Sequence, residues 1–104
     1  MTTYAILVRA RALLARGWCQ GARARDADGK PVSHKSPRAA AWCATGACDA
    51  AGDGDGGAVD DALNILAYYV GGTTCSIVTW NDGRHRTQAQ ILVAFDEAIS
   101  GERP

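Results

Sequence analysis

Gly17-Trp18-Cys19-Gln20-Gly21-Ala22-Arg23-Ala24-Arg25-Asp26-Ala27-Asp28-Gly29 is the stretch on which the rest of the chain turns. It holds rare residue types, shows no clean periodicity, and sits between two segments that read as helices. Asp28-Gly29 followed by Lys30-Pro31 is turn chemistry. Residues 18–35 therefore read as one long loop, anchored to the core by Trp18. Loops of that length in a small domain tend to be functional or packed on themselves.

Outward from this loop the pattern is helical. Ile6, Leu7, Ala10, Leu13 and Leu14 form one apolar stripe, so a helix is expected over Thr3 to Arg16, capped by Thr2 or Thr3 and stopped by a left-handed Gly17. Ser36-Pro37 reads as a cap and first helical position, with a helix running through Trp42 and Cys43 to about Ala51. Gly46 is a weak point inside it, or a mark of close packing. Gly52 to Gly57 reads as a flexible acidic turn. A third helix is expected over Ala58 to Val70, with Asp60 and Asp61 in its first turn. A short fourth, carrying Ile77, Val78 and Trp80, would be capped by Thr73 or Thr74; Cys75 to Trp80 read as a strand would lack a partner. Thr87-Gln88-Ala89-Gln90 is a capping box opening a last helix to about Ser100, with Ile91, Leu92, Phe95, Ala98 and Ile99 inward.

The chain has 104 residues and an apolar fraction of 47%, enough for one domain with one modest core. Much of the apolar content is alanine, while Val, Ile and Thr are sparse. The expectation is an all-α fold: a single compact domain over 1–104, about five helices, with a long basic loop after helix 1. No apolar run approaches the roughly 20 residues of a membrane span. Four cysteines without a signal peptide read as reduced thiols in a cytoplasmic protein.

Net charge is zero, yet residues 1–48 carry eight basic and two acidic side chains, and residues 49–104 carry three against nine. This asymmetry suggests a basic face for nucleic acid, a pairing of the two halves, or a plain mixing of both on one surface. Arg16, Arg23, Arg25, Lys30, Lys35 and Arg38 are the candidate partner-binding residues, because phosphate recognition needs several cations on one surface.

Other chemistry is weaker. Cys19, His34, Cys43 and Cys48 are metal-ligand types, but there is no CxxC or HxxxH spacing, and Cys43 and Cys48 would point about 140° apart on a helix. Cys19 or Cys43 with His85, oriented by Asp82, could form a thiol nucleophile, although the sequence supplies types and not geometry. Asp53-Gly54-Asp55-Gly56-Gly57 starts like a calcium loop but puts Asn64 where the closing Glu belongs. Trp80-Asn81-Asp82 with Arg86-Thr87 reads as a structural knot, locked by a buried Arg86–Asp82 pair. Neither a metal, a cofactor nor a catalytic residue is expected.

Gly17-Trp18-Cys19-Gln20-Gly21-Ala22, Ala24-Arg25-Asp26-Ala27-Asp28-Gly29, Trp42-Cys43 with Gly46-Ala47, Trp80-Asn81-Asp82, Arg86-Thr87 and the closing helix with Phe95-Asp96 together resemble a short domain family of unknown function, found in actinobacteria, other GC-rich bacteria and their phages and mobile elements. The resemblance covers nearly the whole chain. It marks Trp18, Cys19, Gln20, Trp42, Cys43, Trp80, Asn81, Asp82 and Arg86 as signature positions, while Cys48, Cys75 and His34 fall outside the motifs. It carries no assigned activity. Size, charge layout and resemblance together suggest an accessory binding protein that is not an enzyme, most concretely an anti-CRISPR inhibitor acting on a host protein or nucleoprotein complex or on its DNA or RNA. The alternatives are a cysteine-dependent hydrolase and a regulatory or toxin–antitoxin module that binds nucleic acid.

Overall fold

The computed structural model describes residues 1–71 and 76–103. Along the chain run α1 (Thr3–Arg16), β1 (Ala24–Arg25), β2 (Pro31–Val32), β3 (Ala41–Trp42), α2 (Ala44–Ala51), α3 (Gly56–Val70), α4 (Ile77–Asn81) and α5 (Gln88–Glu102). The fold is thus mixed, not all-α: the expected long loop builds a three-stranded antiparallel sheet of order β2-β1-β3.

The sheet comes from local turn chemistry and one crossing. Asp26 Oδ1 accepts from the backbone N–H groups of Asp28 and Lys30, each at 2.9 Å, and Gly29 takes a φ of 83°. This Asx turn folds β2 back on β1, pairing Ala24 with Val32 and Arg25 with Pro31. Pro31 is tolerated because β2 is an edge strand. On the other side of β1, Ala24 pairs with Trp42 and Arg25 with Ala41.

That second pairing displaces the helix expected from Ser36. Ser36 Oγ accepts from Arg38 N, and Ala39 N donates to Ser36 O, so Ser36-Pro37 makes one turn and no more. Ala40 N then donates to Arg25 O at 2.8 Å and draws the alanine-rich run into the sheet. Tertiary pairing overrides the helix propensity of Ala39, Ala40 and Ala41. Helix α2 starts only at Ala44, capped by Cys43, whose Sγ accepts from Gly46 N at 3.2 Å.

The other helices follow their sequence signals, with shifts at the ends. Thr2 caps α1 by accepting from Ala5 N. Gly17 ends α1 in extended backbone at φ −174°, not in the expected left-handed form. Its need is space: a Cβ there would meet Ala40 O at 2.2 Å. Asp55 caps α3 by accepting from Ala58 N, so the helix opens at Gly56, two residues before the expected start, and Asp60 and Asp61 lie beyond its first turn. Ser76 caps α4; the expected caps Thr73 and Thr74 lie outside the described residues. Thr87 and Gln90 form the expected capping box of α5.

The core lies between α1, α2, α3 and α5. Ile6, Leu7 and Leu14 of α1 meet Leu66 of α3 and Ile91 and Phe95 of α5, all fully buried. Ala10, Ala44, Ala47, Ala62 and Ala98 are also fully buried. Small side chains let the helices approach closely. Gln88 Nε2 donates to Leu14 O at 2.8 Å, tying the start of α5 to the end of α1.

At Gly46 a Cβ would stand 2.0 Å from Arg23 O, a backbone atom fixed by its bond from Cys43 N. Gly46→Ala is therefore expected to destabilise by at least about 1–3 kcal/mol, as overpacking does. Gly57→Ala, where a Cβ meets nothing within 4 Å, should be neutral or mildly stabilising. Urea unfolding of the two variants beside the parent checks the contrast.

Candidate functional site: a buried amide between two strands

Trp18-Cys19 and Trp42-Cys43 repeat each other for a structural reason. Trp18 and Trp42 face each other across a single parallel bridge. Its two rungs run from Trp42 N to Gly17 O at 3.1 Å and from Cys19 N to Trp42 O at 3.0 Å. In a parallel ladder the next rung would join Ala44 N to Cys19 O. The side-chain amide of Asn81 stands in that place. Its Oδ1 accepts from Ala44 N at 2.9 Å, and its Nδ2 donates to Cys19 O at 3.1 Å.

The same amide makes two further bonds. Oδ1 accepts from Trp18 Nε1 at 2.9 Å, and Nδ2 donates to Asp82 Oδ1 at 3.0 Å. A carboxamide has two acceptor sites and two donor hydrogens, so all four are used. Asn81 is fully buried. Helix α4 delivers it from its last turn, and Gln20 secures that end: its Nε2 donates to Asn81 O at 3.0 Å and to Gly83 O at 2.9 Å. Gly21, at φ 79°, aims its N–H at Asp82 Oδ1.

Most signature residues of the sequence therefore meet: Trp18, Cys19 and Gln20 from the segment after α1, Trp42 and Cys43 from β3 and the α2 cap, Asn81 from the end of α4 and Asp82 from its C-cap. Arg86 does not pair with Asp82 as expected. Its Nε donates to Trp80 O at 2.9 Å, and its guanidinium lies over the Trp80 ring, 4.9 Å from the centroid. Asp82 is instead engaged through Oδ1 by Gly21 N and Asn81 Nδ2. Two members of the knot escape sequence reasoning. Ala44 gives only a backbone N–H, which no residue type marks, and Gly21 is one glycine among many.

The thiols sit inside this arrangement. Cys19, Cys43 and Cys48 are free and buried. Burial pushes the Cys19 thiol up to about 11, with the neighbouring Cys43 adding to the effect and Arg25 opposing it. Burial also raises Cys43, against the backbone N–H groups of Gly46 and Thr45. Burial raises Cys48 above the ordinary thiol range. His85 lies on the exposed turn after α4 and lines a hollow with Arg84, Arg86 and Gln90, whereas Cys43 lines a different one, of about 170 Å³, with Gly21, Ala22, Arg23, Val78 and Asp82. Among the described residues, no three His, Cys, Asp or Glu side chains stand close enough to hold a metal.

The basic residues are spread and mostly engaged. Arg23 pairs with Asp49, and Lys35 Nζ lies 3.7 Å from Asp53. Arg25 turns inward: Nε and Nη2 donate to Gln20 O, and Nη1 donates to Gly29 O at 2.9 Å. Arg16 stands over the Trp42 ring, 5.7 Å from its centroid. Lys30 and Arg38 are exposed and carry no ion pair among the described residues. With Arg11–Asp96 at 2.7 Å and the Met1 N-terminus–Asp55 at 3.1 Å, four ion pairs among the described residues join the first half to the second. No helix among the described residues is long and apolar enough to cross a membrane.

Fold and site define a small α/β module held together by a buried polar knot. The chain belongs to DUF6197, a family of unknown function whose model matches residues 1–101. No curated protein and no solved structure gives a significant match to it.

Removing the Asn81 side chain strands Ala44 N, Cys19 O and Trp18 Nε1 together. Each unsatisfied buried group costs about 1–3 kcal/mol, so Asn81→Ala should lose at least about 3 kcal/mol in urea unfolding. Asn81→Asp should not rescue it, because a carboxylate cannot donate to Cys19 O.

A second outcome concerns pH. The Cys19 thiol moves from 9.0 to about 11 on folding, so the native state keeps its proton longer than the unfolded chain. Stability from this source is complete below pH 9 and declines as pH rises towards 11. Urea midpoints across that range should fall in the parent and fall less steeply in Cys19→Ala.

Proposed function

We propose that the protein is a small binding module that acts by non-covalent contact with a host protein or nucleoprotein complex. The observation that carries the reading is where the signature residues are spent. Trp18, Gln20, Gly21, Asn81 and Asp82 bond to one another, and Asn81 has no valence left for a ligand. Such a constellation holds a surface in shape rather than reacting with a substrate. The burial-raised thiols support the same reading, since the thiolate is the nucleophile of cysteine chemistry.

A protein partner is favoured over nucleic acid within this class. Phosphate binding needs free cations on one surface, and Arg23, Arg25 and Lys35 are engaged inside the molecule. The finer form of the proposal, an inhibitor of a CRISPR–Cas complex, rests on size, charge layout and family resemblance.

Pull-down of tagged protein from cells with an active CRISPR–Cas system, with and without nuclease, tests it. Retention of a Cas complex after nuclease treatment is the expected result, unchanged in Lys30→Glu/Arg38→Glu. Loss of the complex on nuclease treatment would move the contact to nucleic acid. Absence of any Cas component in both arms would remove the inhibitor reading. Labelling of Cys19 or Cys43 at neutral pH as fast as in the unfolded chain would favour the hydrolase instead.

A further inference from the structure

A groove of about 340 Å³ lies between α5, the end of α3 and α4. Its volume falls in the roughly 300–1,000 Å³ range of small-molecule sites. Tyr69, Val70, Trp80, Val93 and Ala94 give it an apolar lining, and Val93 is 54% exposed. Arg86 and Gln90 line it at the start of α5. Glu97 lines it two helical turns beyond Gln90, about 10 Å along the axis. The two residues at the first end are held in place. Arg86 Nε donates to Trp80 O at 2.9 Å, and the guanidinium lies over the Trp80 ring. Gln90 Oε1 accepts from Thr87 N at 3.1 Å within the capping box. Those bonds leave the Nη1 and Nη2 groups of Arg86 and the Nε2 group of Gln90 as donors without an acceptor among the described residues. Arg86 also carries no ion pair among the described residues. Arg84 and His85 share the adjoining hollow with Arg86 and Gln90, and no acid stands in its described lining. The field at this end of the groove therefore favours an anion.

We propose that this groove binds a small monocarboxylate with an apolar body, its carboxylate on Arg86 and Gln90 and its body over Trp80 and Val93. The planar guanidinium fork matches a carboxylate, and bonds from a charged donor are the stronger kind. Because Arg86 is already fixed by Trp80, little side-chain freedom is lost when the ligand arrives. The stretch between the two charged ends is apolar and built from helices, whose backbone groups pair internally. A peptide laid there would leave its own amides without partners, so a ligand with a plain hydrocarbon body fits better. Glu97 sets a limit at the far end. It repels a second carboxylate, so a monocarboxylate is selected over a dicarboxylate of the same length. The site is separate from the Asn81 junction and does not depend on the protein-contact reading.

The test is an NMR titration of the full chain with octanoate, octan-1-ol and octanedioate. Octanoate should give saturable shifts confined to the groove, at the Trp80 indole N–H, the Gln90 side-chain amide and the Val93 backbone amide. Octan-1-ol, which lacks the carboxylate, and octanedioate, which adds a second, should each bind at least about tenfold more weakly, the loss expected for one charge-assisted bond. Val93→Asp puts a carboxylate into the groove from an exposed position, so it should abolish the octanoate shifts and leave thermal unfolding unchanged. Glu97→Gln should narrow the gap between octanoate and octanedioate. Shifts that spread over the surface without saturating, octan-1-ol bound as tightly as octanoate, parental octanoate affinity in Val93→Asp, or an unchanged gap in Glu97→Gln would each overturn the proposal.

Discussion

The Asn81 carboxamide stands where two strands part, and the rest of the molecule is arranged around that position. The segment after α1 and the segment entering α2 run parallel for one bridge and then diverge, because Ala44 must turn into a helix. Divergence leaves a carbonyl at Cys19 and an N–H at Ala44 facing each other without contact. In a water-free interior each would cost about 1–3 kcal/mol. The amide fills the gap as a detached peptide unit would, and Trp18 Nε1 and Asp82 Oδ1 take its remaining valences. One side chain thereby fixes the start of α2, the exit of α1 and the end of α4. An aspartate, a leucine or a glutamine could not supply the same donors and acceptors at the same reach.

The surrounding architecture serves this junction. Gly17 and Gly46 leave room for backbone oxygens of Ala40 and Arg23, which lets three segments of main chain lie together near the knot. The hairpin of β1 and β2 covers the outer side of β3, held by the Asp26 turn and by Arg25. Charge adds a looser tie. The basic first half and the acidic second half meet in exposed or half-exposed ion pairs, which contribute little each, about 0–1 kcal/mol.

Much of the helical frame was legible because it rests on local signals. The stripe of Ile6, Leu7, Ala10 and Leu14 and the Thr87–Gln90 capping box declare α1 and α5 directly. The sheet was not legible, since strands of two residues are too short to show an alternating pattern. Asp28-Gly29 did mark the turn, but nothing in the flanking residues told a hairpin from a loop. Ser36-Pro37 gave a false start, as its helix would have had to give up the bond from Ala40 N to Arg25 O. At the site, the repeated Trp-Cys pairs and the Trp80-Asn81-Asp82 motif pointed to the right residues. The role of each was hidden, because Asn81 bonds to backbone atoms that have no residue signature. Arg86 donates to Trp80 O, a backbone acceptor with no residue signature, while Asp82 Oδ1 accepts from Gly21 and Asn81.

In this member of a family of unknown function, the most distinctive side chains are spent on internal bonding. That makes the integrity of the junction the central claim. Amide hydrogen exchange followed by NMR tests it most directly. The Ala44 N–H and the Trp18 indole N–H should exchange only through global unfolding, with protection matching that of core amides such as Leu7 and Phe95. Exchange of either at the rate of the exposed turn amides of Arg84 and His85 would show the junction open in solution, and would contradict the account.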